Sequence, residues 1–141
     1  MKLEGGCYCG QVRYLAEGEP MMKAQCHCRE CQYITGGSPN MFLLMPPKGF
    51  SYTKGTPKQF TRSDIENAVT REFCADCGTG LFYINANVLP GIVDIQSGTY
   101  DDPDAIPAAV HIQVAERLRW MAGATFPRAA LSRGLAGARG A

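Results

Sequence analysis

The sequence has almost no net charge to offer a partner. Of its 141 residues, 14 are Lys or Arg and 13 are Asp or Glu, a formal charge of +1. A dedicated nucleic-acid binder needs a basic excess to neutralise phosphates, and this chain lacks one. Long apolar runs are missing too: nothing approaches the ~20 residues that cross a bilayer. The N-terminus, MKLEGGCYCG, has no apolar stretch of the kind that directs export. The expectation is a soluble, cytoplasmic chain with no membrane partner. Phosphate-cradling patterns of the GxGxxG or Walker type are absent. Disorder is disfavoured as well, because 45% of the residues are hydrophobic and only 19% charged. A chain of this length buries roughly two-thirds of its surface on folding, enough for one self-sufficient core.

What the sequence has is cysteine. Seven occur, at Cys7, Cys9, Cys26, Cys28, Cys31, Cys74 and Cys77. An odd number without an export signal argues against a disulfide scaffold. They form three clusters, C-Y-C, C-H-C-R-E-C and C-A-D-C, separated by 16 and 42 residues. Core-filling cysteines would be scattered. Clusters with C-x2-C spacing point to metal or redox chemistry instead.

The rest of the chain predicts a mainly β domain. Gln11 to Ala16 alternates, placing Val12, Tyr14 and Ala16 on one face. Met41 to Met45 is a short apolar run ended by Pro46 and Pro47, which reads as a buried strand. Phe50 to Tyr52, Gln59 to Arg62, Val69 to Phe73, Leu81 to Ile84 and Ile92 to Gln96 are further strand candidates between Gly, Pro and Asn. Helix is expected only in brief pieces, around Arg29 to Ile34 and Ala115 to Met121. Residues 1–126, which hold all seven cysteines, are expected to form a single β-rich domain. Residues 127–141, rich in Ala, Gly and Arg, read as a flexible tail.

Side-chain geometry assigns the thiols. In an extended segment, residues i and i+2 face the same side, so Cys7 and Cys9 can reach one ion. Cys74 and Cys77, followed by Gly78, form a turn that wraps a metal-bound sulfur. Together these four thiolates make a closed tetrahedral zinc site, structural in kind, that ties the N-terminus to mid-chain across a 64-residue gap. Cys26, Cys28 and Cys31 remain. Three protein ligands with one position left for substrate is the pattern of catalytic zinc. Four thiolates on Zn²⁺ leave about −2, a poor Lewis acid; three leave about −1 and a vacancy. A mixed pairing, Cys7 and Cys9 with two of the second cluster, has the same ligand chemistry and stays open at this point.

The motifs G-x-C-x-C-G-x-V-x-Y (Gly5 to Tyr14), C-H-C-x-x-C followed by Thr35, Gly36 and Gly37, and F-C-x-x-C-G-T-x-L (Phe73 to Leu81) occur together. With Pro107, His111, Ile112 and Trp120 after them, this combination resembles the glutathione-dependent formaldehyde-activating enzyme family, which is related to centromere protein V. The resemblance covers roughly residues 3 to 121. It implies a β-rich Mss4-like fold, a structural zinc on Cys7, Cys9, Cys74 and Cys77, and a reactive zinc on Cys26, Cys28 and Cys31. It also implies a carbon–sulfur lyase that handles a glutathione-like thiol and its adduct with an aldehyde such as formaldehyde. The alternative is a non-catalytic, zinc-stabilised protein-binding module. That reading expects an eighth Cys or a placed His, and the sequence shows neither. Thiol–disulfide exchange is disfavoured because neither C-x2-C is expected to open a helix in a βαβ unit.

Other residues carry plainer expectations. His27, between two ligand cysteines, is expected to turn its ring away from them, and His111 to be a core histidine bonded to backbone. Arg29, Lys23 and Arg71 flank cysteine clusters and could meet an anionic peptide, though such residues mostly face solvent. Asp76 and Glu30 read as solvated turn residues. Gly36 and Gly37 read as a positive-φ turn, and Phe82, Tyr83, Trp120 and Phe126 as core.

Overall fold

The computed structural model describes residues 1–121; the expected tail at 127–141, and Phe126, lie outside the described residues. Ten strands run in chain order: β1 Lys2–Gly6, β2 Arg13–Glu17, β3 Met22–Cys26, β4 Asn40–Met45, β5 Phe50–Lys54, β6 Lys58–Thr61, β7 Thr70–Phe73, β8 Gly80–Ile84, β9 Val93–Gln96 and β10 Val110–Ile112. One helix, α1 (Arg29–Thr35), joins β3 to β4. The mainly β expectation with brief helical pieces holds, but the piece expected at Ala115 to Met121 is two 3-10 turns, Val114–Glu116 and Arg119–Met121. None of the helices described is long and apolar enough to cross a membrane.

The strands form two sheets. β1, β2 and β5 make a small antiparallel sheet. The large sheet has the order β10-β3-β4-β9-β8-β7-β6, antiparallel except for the β10–β3 pair. β4 explains why its sequence is a continuous apolar run rather than an alternating one: both faces of the strand are covered. Leu43 and Met45 point into a core shared with Leu3, Val12, Tyr14 and Ala16 of the N-terminal segment and with Leu81, Phe82 and Ile95. Phe42 and Leu44 point the other way, into a second cluster with Ala24 and Cys26, against which Cys28, Cys31, Ile92 and Ile112 pack. Each fully buried Leu or Ile contributes about 1.5–3 kcal/mol by leaving water. Edge-on aromatic pairs lock the first core, with Tyr14 and Phe50 meeting Phe82 at centroid distances of 5.1 and 4.4 Å.

The first core also carries a polar tie. The Tyr14 hydroxyl, deep in the interior, shares a 2.8 Å hydrogen bond with Thr99 Oγ1, and burial holds that phenol well above its ordinary range. Phe82 and Tyr83 are core as expected, but Trp120 is 62% exposed, since it lies in a short turn beyond the last strand. Gly36 and Gly37 supply the positive-φ turn that ends α1.

Candidate metal centres

The two β-layers bring all seven thiols into two groups. Cys7, Cys9, Cys74 and Cys77 place their sulfurs within 4.8 Å of one another; so do Cys26, Cys28 and Cys31. The mixed pairing is not what the fold assembles. The quartet belongs to the core beneath the small sheet, and the trio to the cluster on the other face of the large one.

Two matching turns build the quartet. The Gly10 N–H donates to the Cys7 carbonyl (3.0 Å), and the Gly78 N–H to the Cys74 carbonyl (2.9 Å). Gly10 and Gly78 have φ of 75° and 74°, a left-handed conformation that costs glycine nothing. The turns are stitched to one another by the Tyr8 N–H, which donates to Thr79 Oγ1 at 3.1 Å. Cys7 and Cys9 sulfurs are 3.5 Å apart, and Cys9 and Cys74 3.8 Å. Sulfurs about 2.3 Å from a tetrahedral zinc are separated by about 3.8 Å, so the donor set fits that ion.

Charge around the quartet is unevenly spread without a cation. At Cys77, desolvation is outweighed by hydrogen bonds from Thr79 and Cys9, which lower the thiol to about 6. Cys7 is also lowered: desolvation opposes ionisation, but the Val12 N–H donates to its sulfur at 3.2 Å. Cys9 goes the other way, to about 12. The Gln11 N–H favours its thiolate, while desolvation and the bonds it donates to neighbouring sulfurs retain the proton. A dication at the centre would let all four ionise.

The trio is built differently. Cys26 ends β3; Cys28 caps α1, its sulfur accepting from the Cys31 N–H at 3.3 Å; Cys31 sits one turn in. The C-x2-C at 28–31 thus opens the brief helix expected around Arg29 to Ile34. The strands it joins, β3 and β4, are antiparallel, so the setting is still not βαβ. Burial raises the Cys26 thiol and, with the proton shared toward Cys28, raises Cys31 far above the ordinary range. Raised thiols are poor redox nucleophiles. Three sulfurs gathered around one point fit a cation that favours their thiolate forms.

Beside the trio is a cavity of about 310 Å³, walled by Ile34, Phe42, Leu44, Ile92 and Ile112. Glu30, Asn40, Tyr83 and Asp94 are among the polar side chains that reach it, and sequence reasoning passed over Asn40 and Asp94. Glu30 is no solvated turn residue; it lies in the first turn of α1 and pairs with Arg71. Asn40 is buried opposite Cys26 in the β3–β4 register, and its Nδ2 has no hydrogen-bond partner. Asp94 stands on β9 between Leu44 and Tyr83. Burial pushes its carboxyl up to about 8, against a 2.9 Å bond from Gln96 Nε2.

The flanking residues resolve as follows. His27 is buried and turned away from the sulfurs, its Nε2 2.8 Å from His111 Nδ1 with the rings stacked. His111 is exposed and bonds this side chain, not backbone, because β10 is an edge strand. Arg29 is exposed, 4.1 Å over the Tyr33 ring. Asp76 faces solvent and Lys23 is half-buried on β3.

Comparison with known proteins agrees with this architecture. The sequence profile of the glutathione-dependent formaldehyde-activating enzyme family matches residues 2–116. A crystal structure of a Rhodobacter sphaeroides protein shares the fold, with a TM-score of 0.59 at 15% sequence identity, over 77% of this chain and 99% of that one. No curated protein matches the chain significantly.

Proposed function

The chain belongs to the glutathione-dependent formaldehyde-activating enzyme family, and from that premise we propose that it is a zinc-dependent carbon–sulfur lyase. Its substrate is the adduct of glutathione, or a similar thiol, with an aldehyde such as formaldehyde. In this reading Cys7, Cys9, Cys74 and Cys77 hold a structural zinc, and Cys26, Cys28 and Cys31 hold a catalytic one. The observation that carries the reading is the trio itself: three sulfurs converge beside a cavity, and no fourth His, Cys, Asp or Glu donor joins them among the described residues.

Zinc bound there supplies a positive charge that favours the thiolate form of an incoming thiol. The protein does the rest. α1 fixes two of the sulfurs on the cavity wall, Cys28 at its cap and Cys31 one turn in. Phe42, Leu44, Ile92 and Ile112 keep bulk water from the reacting carbon. Glu30 is shared with a second hollow lined by Arg29, Arg62 and Arg71, a basic surface suited to the carboxylates of a tripeptide thiol.

The test is to follow S-(hydroxymethyl)glutathione by NMR in glutathione and formaldehyde with and without the protein. Acceleration over the spontaneous reaction is expected. No acceleration would leave the protein as a zinc-stabilised binding module.

A further inference from the structure

The cavity beside the trio holds more chemistry than the sulfurs. Three of its side chains carry an ionisable oxygen: Glu30, Tyr83 and Asp94. Glu30 is committed to Arg71. Tyr83 is 7% exposed, and burial holds its phenol far above the range where it could exchange a proton near neutrality. Asp94 differs from both. Gln96 Nε2 donates to one of its carboxyl oxygens, and the side chain lines the cavity.

We propose that Asp94 is the acid–base catalytic residue of this cavity: its carboxyl protonates the aldehyde oxygen as the carbon–sulfur bond forms, and its carboxylate takes that proton back when the bond breaks. This rests on the lyase reading above and adds the residue that handles the proton. The step balances. The sulfur electron pair forms the S–C bond, the carbonyl π pair moves to oxygen, and oxygen takes the Asp94 proton. The proton lost by the thiol on binding restores Asp94, so no oxidant or reductant enters.

The surroundings favour this role. Asp94 faces Tyr83 from β8 and Tyr100 after the 3-10 turn at Ser97–Thr99. Across the cavity it faces Cys26, Cys28, Cys31 and Glu30, the last neutralised by Arg71. β4 presents only Asn40, Phe42 and Leu44, none of which titrates. Among the described residues no Lys, Arg or His lines this cavity, and burial raises the carboxyl to about 8, near the working range of a general acid. Asn40, its Nδ2 without an acceptor, marks the same wall as one awaiting a hydrogen-bonding guest.

Asp94→Asn keeps shape and neutrality and tests the proposal. The wild type is assayed first with glutathione and formaldehyde. For the variant, kcat for adduct formation is expected to fall about 100-fold or more. Zinc content and glutathione affinity by calorimetry should stay unchanged. The wild type should lose kcat as pH rises past the Asp94 titration, and the variant should not. An active wild type with undiminished Asp94→Asn, or a variant that loses zinc or thiol affinity instead of kcat, overturns the Asp94 role alone. A wild type that accelerates nothing overturns the lyase reading, and the Asp94 role falls with it. Independently of any variant, the ¹³C carboxyl resonance of Asp94 in zinc-loaded protein should move on adding glutathione and formaldehyde. A resonance that stays put overturns the proposal.

Discussion

The two cysteine clusters lie on opposite faces of one sheet, with β4 between them sending Leu43 and Met45 to one side and Phe42 and Leu44 to the other. The quartet is made of turns that bond to each other, and its four sulfurs lie within 4.8 Å of one another. The trio is made of a strand end and a helix cap, and what lies next to it is a cavity with a carboxyl and an unpartnered amide. In the proposed reading the same ligand chemistry is used once where the chain must be held and once where something must enter. The difference is one sulfur and what the fold puts in its place.

The comparison predicts unequal damage from equal mutations. Cys77→Ser removes a corner of the closed site. A structural zinc contributes on the order of 10 kcal/mol, comparable to the whole stability of a domain. Loss of cooperative folding is expected in circular dichroism melts. Cys28→Ser should leave a folded protein, because serine is a good helix cap and can still accept from the Cys31 N–H; a cost of about 1 kcal/mol or less is expected. Similar melts for the two variants would erase the division. Metal removal sharpens it next: purified protein should hold about two zinc ions, with the trio's ion leaving first under a mild chelator, since one of its positions is open to solvent ligands. A single ion, or two lost together, would contradict that.

A smaller effect concerns Asp94. Its folded value is raised from 3.8 to about 8, so its contribution to stability is full below pH 4 and is lost as pH rises toward 8. Asp94→Asn should therefore stabilise the fold at pH 8, on the order of 5 kcal/mol, and much less at pH 4. Denaturant midpoints at both pH values read this, and a gain that does not depend on pH would deny the buried carboxyl. Smallest of all, Arg13 on β2 makes a two-armed pair with Asp101, one arm at 2.7 Å, on the quartet's side of the molecule. Being partly exposed, it is worth about 1 kcal/mol at most, and Arg13→Ala should shift the melt by a few degrees without releasing metal.

The sequence made the sulfurs and most strands legible because their signals are local. Alternation in β2, the apolar run of β4 and the punctuated strands after it can each be read within a few residues. β1 escaped because Gly5 and Gly6 give it no side-chain period, and β3 because Met-Lys-Ala-Gln-Cys buries only Ala24 and Cys26. The cavity was illegible for another reason. Asp94, Asn40 and Glu30 meet only through strand register and helix placement, so nothing near any of them in sequence announces the others. His111 and Glu30 were misjudged on the same ground, since their partners, His27 and Arg71, lie 84 and 41 residues away.

The claim that the quartet is sealed and the trio open is tested most directly by ¹¹³Cd NMR of the cadmium-substituted protein titrated with glutathione. Two resonances are expected, of which one shifts on adding the thiol and the other does not move. A single resonance, or two that respond alike, would contradict it.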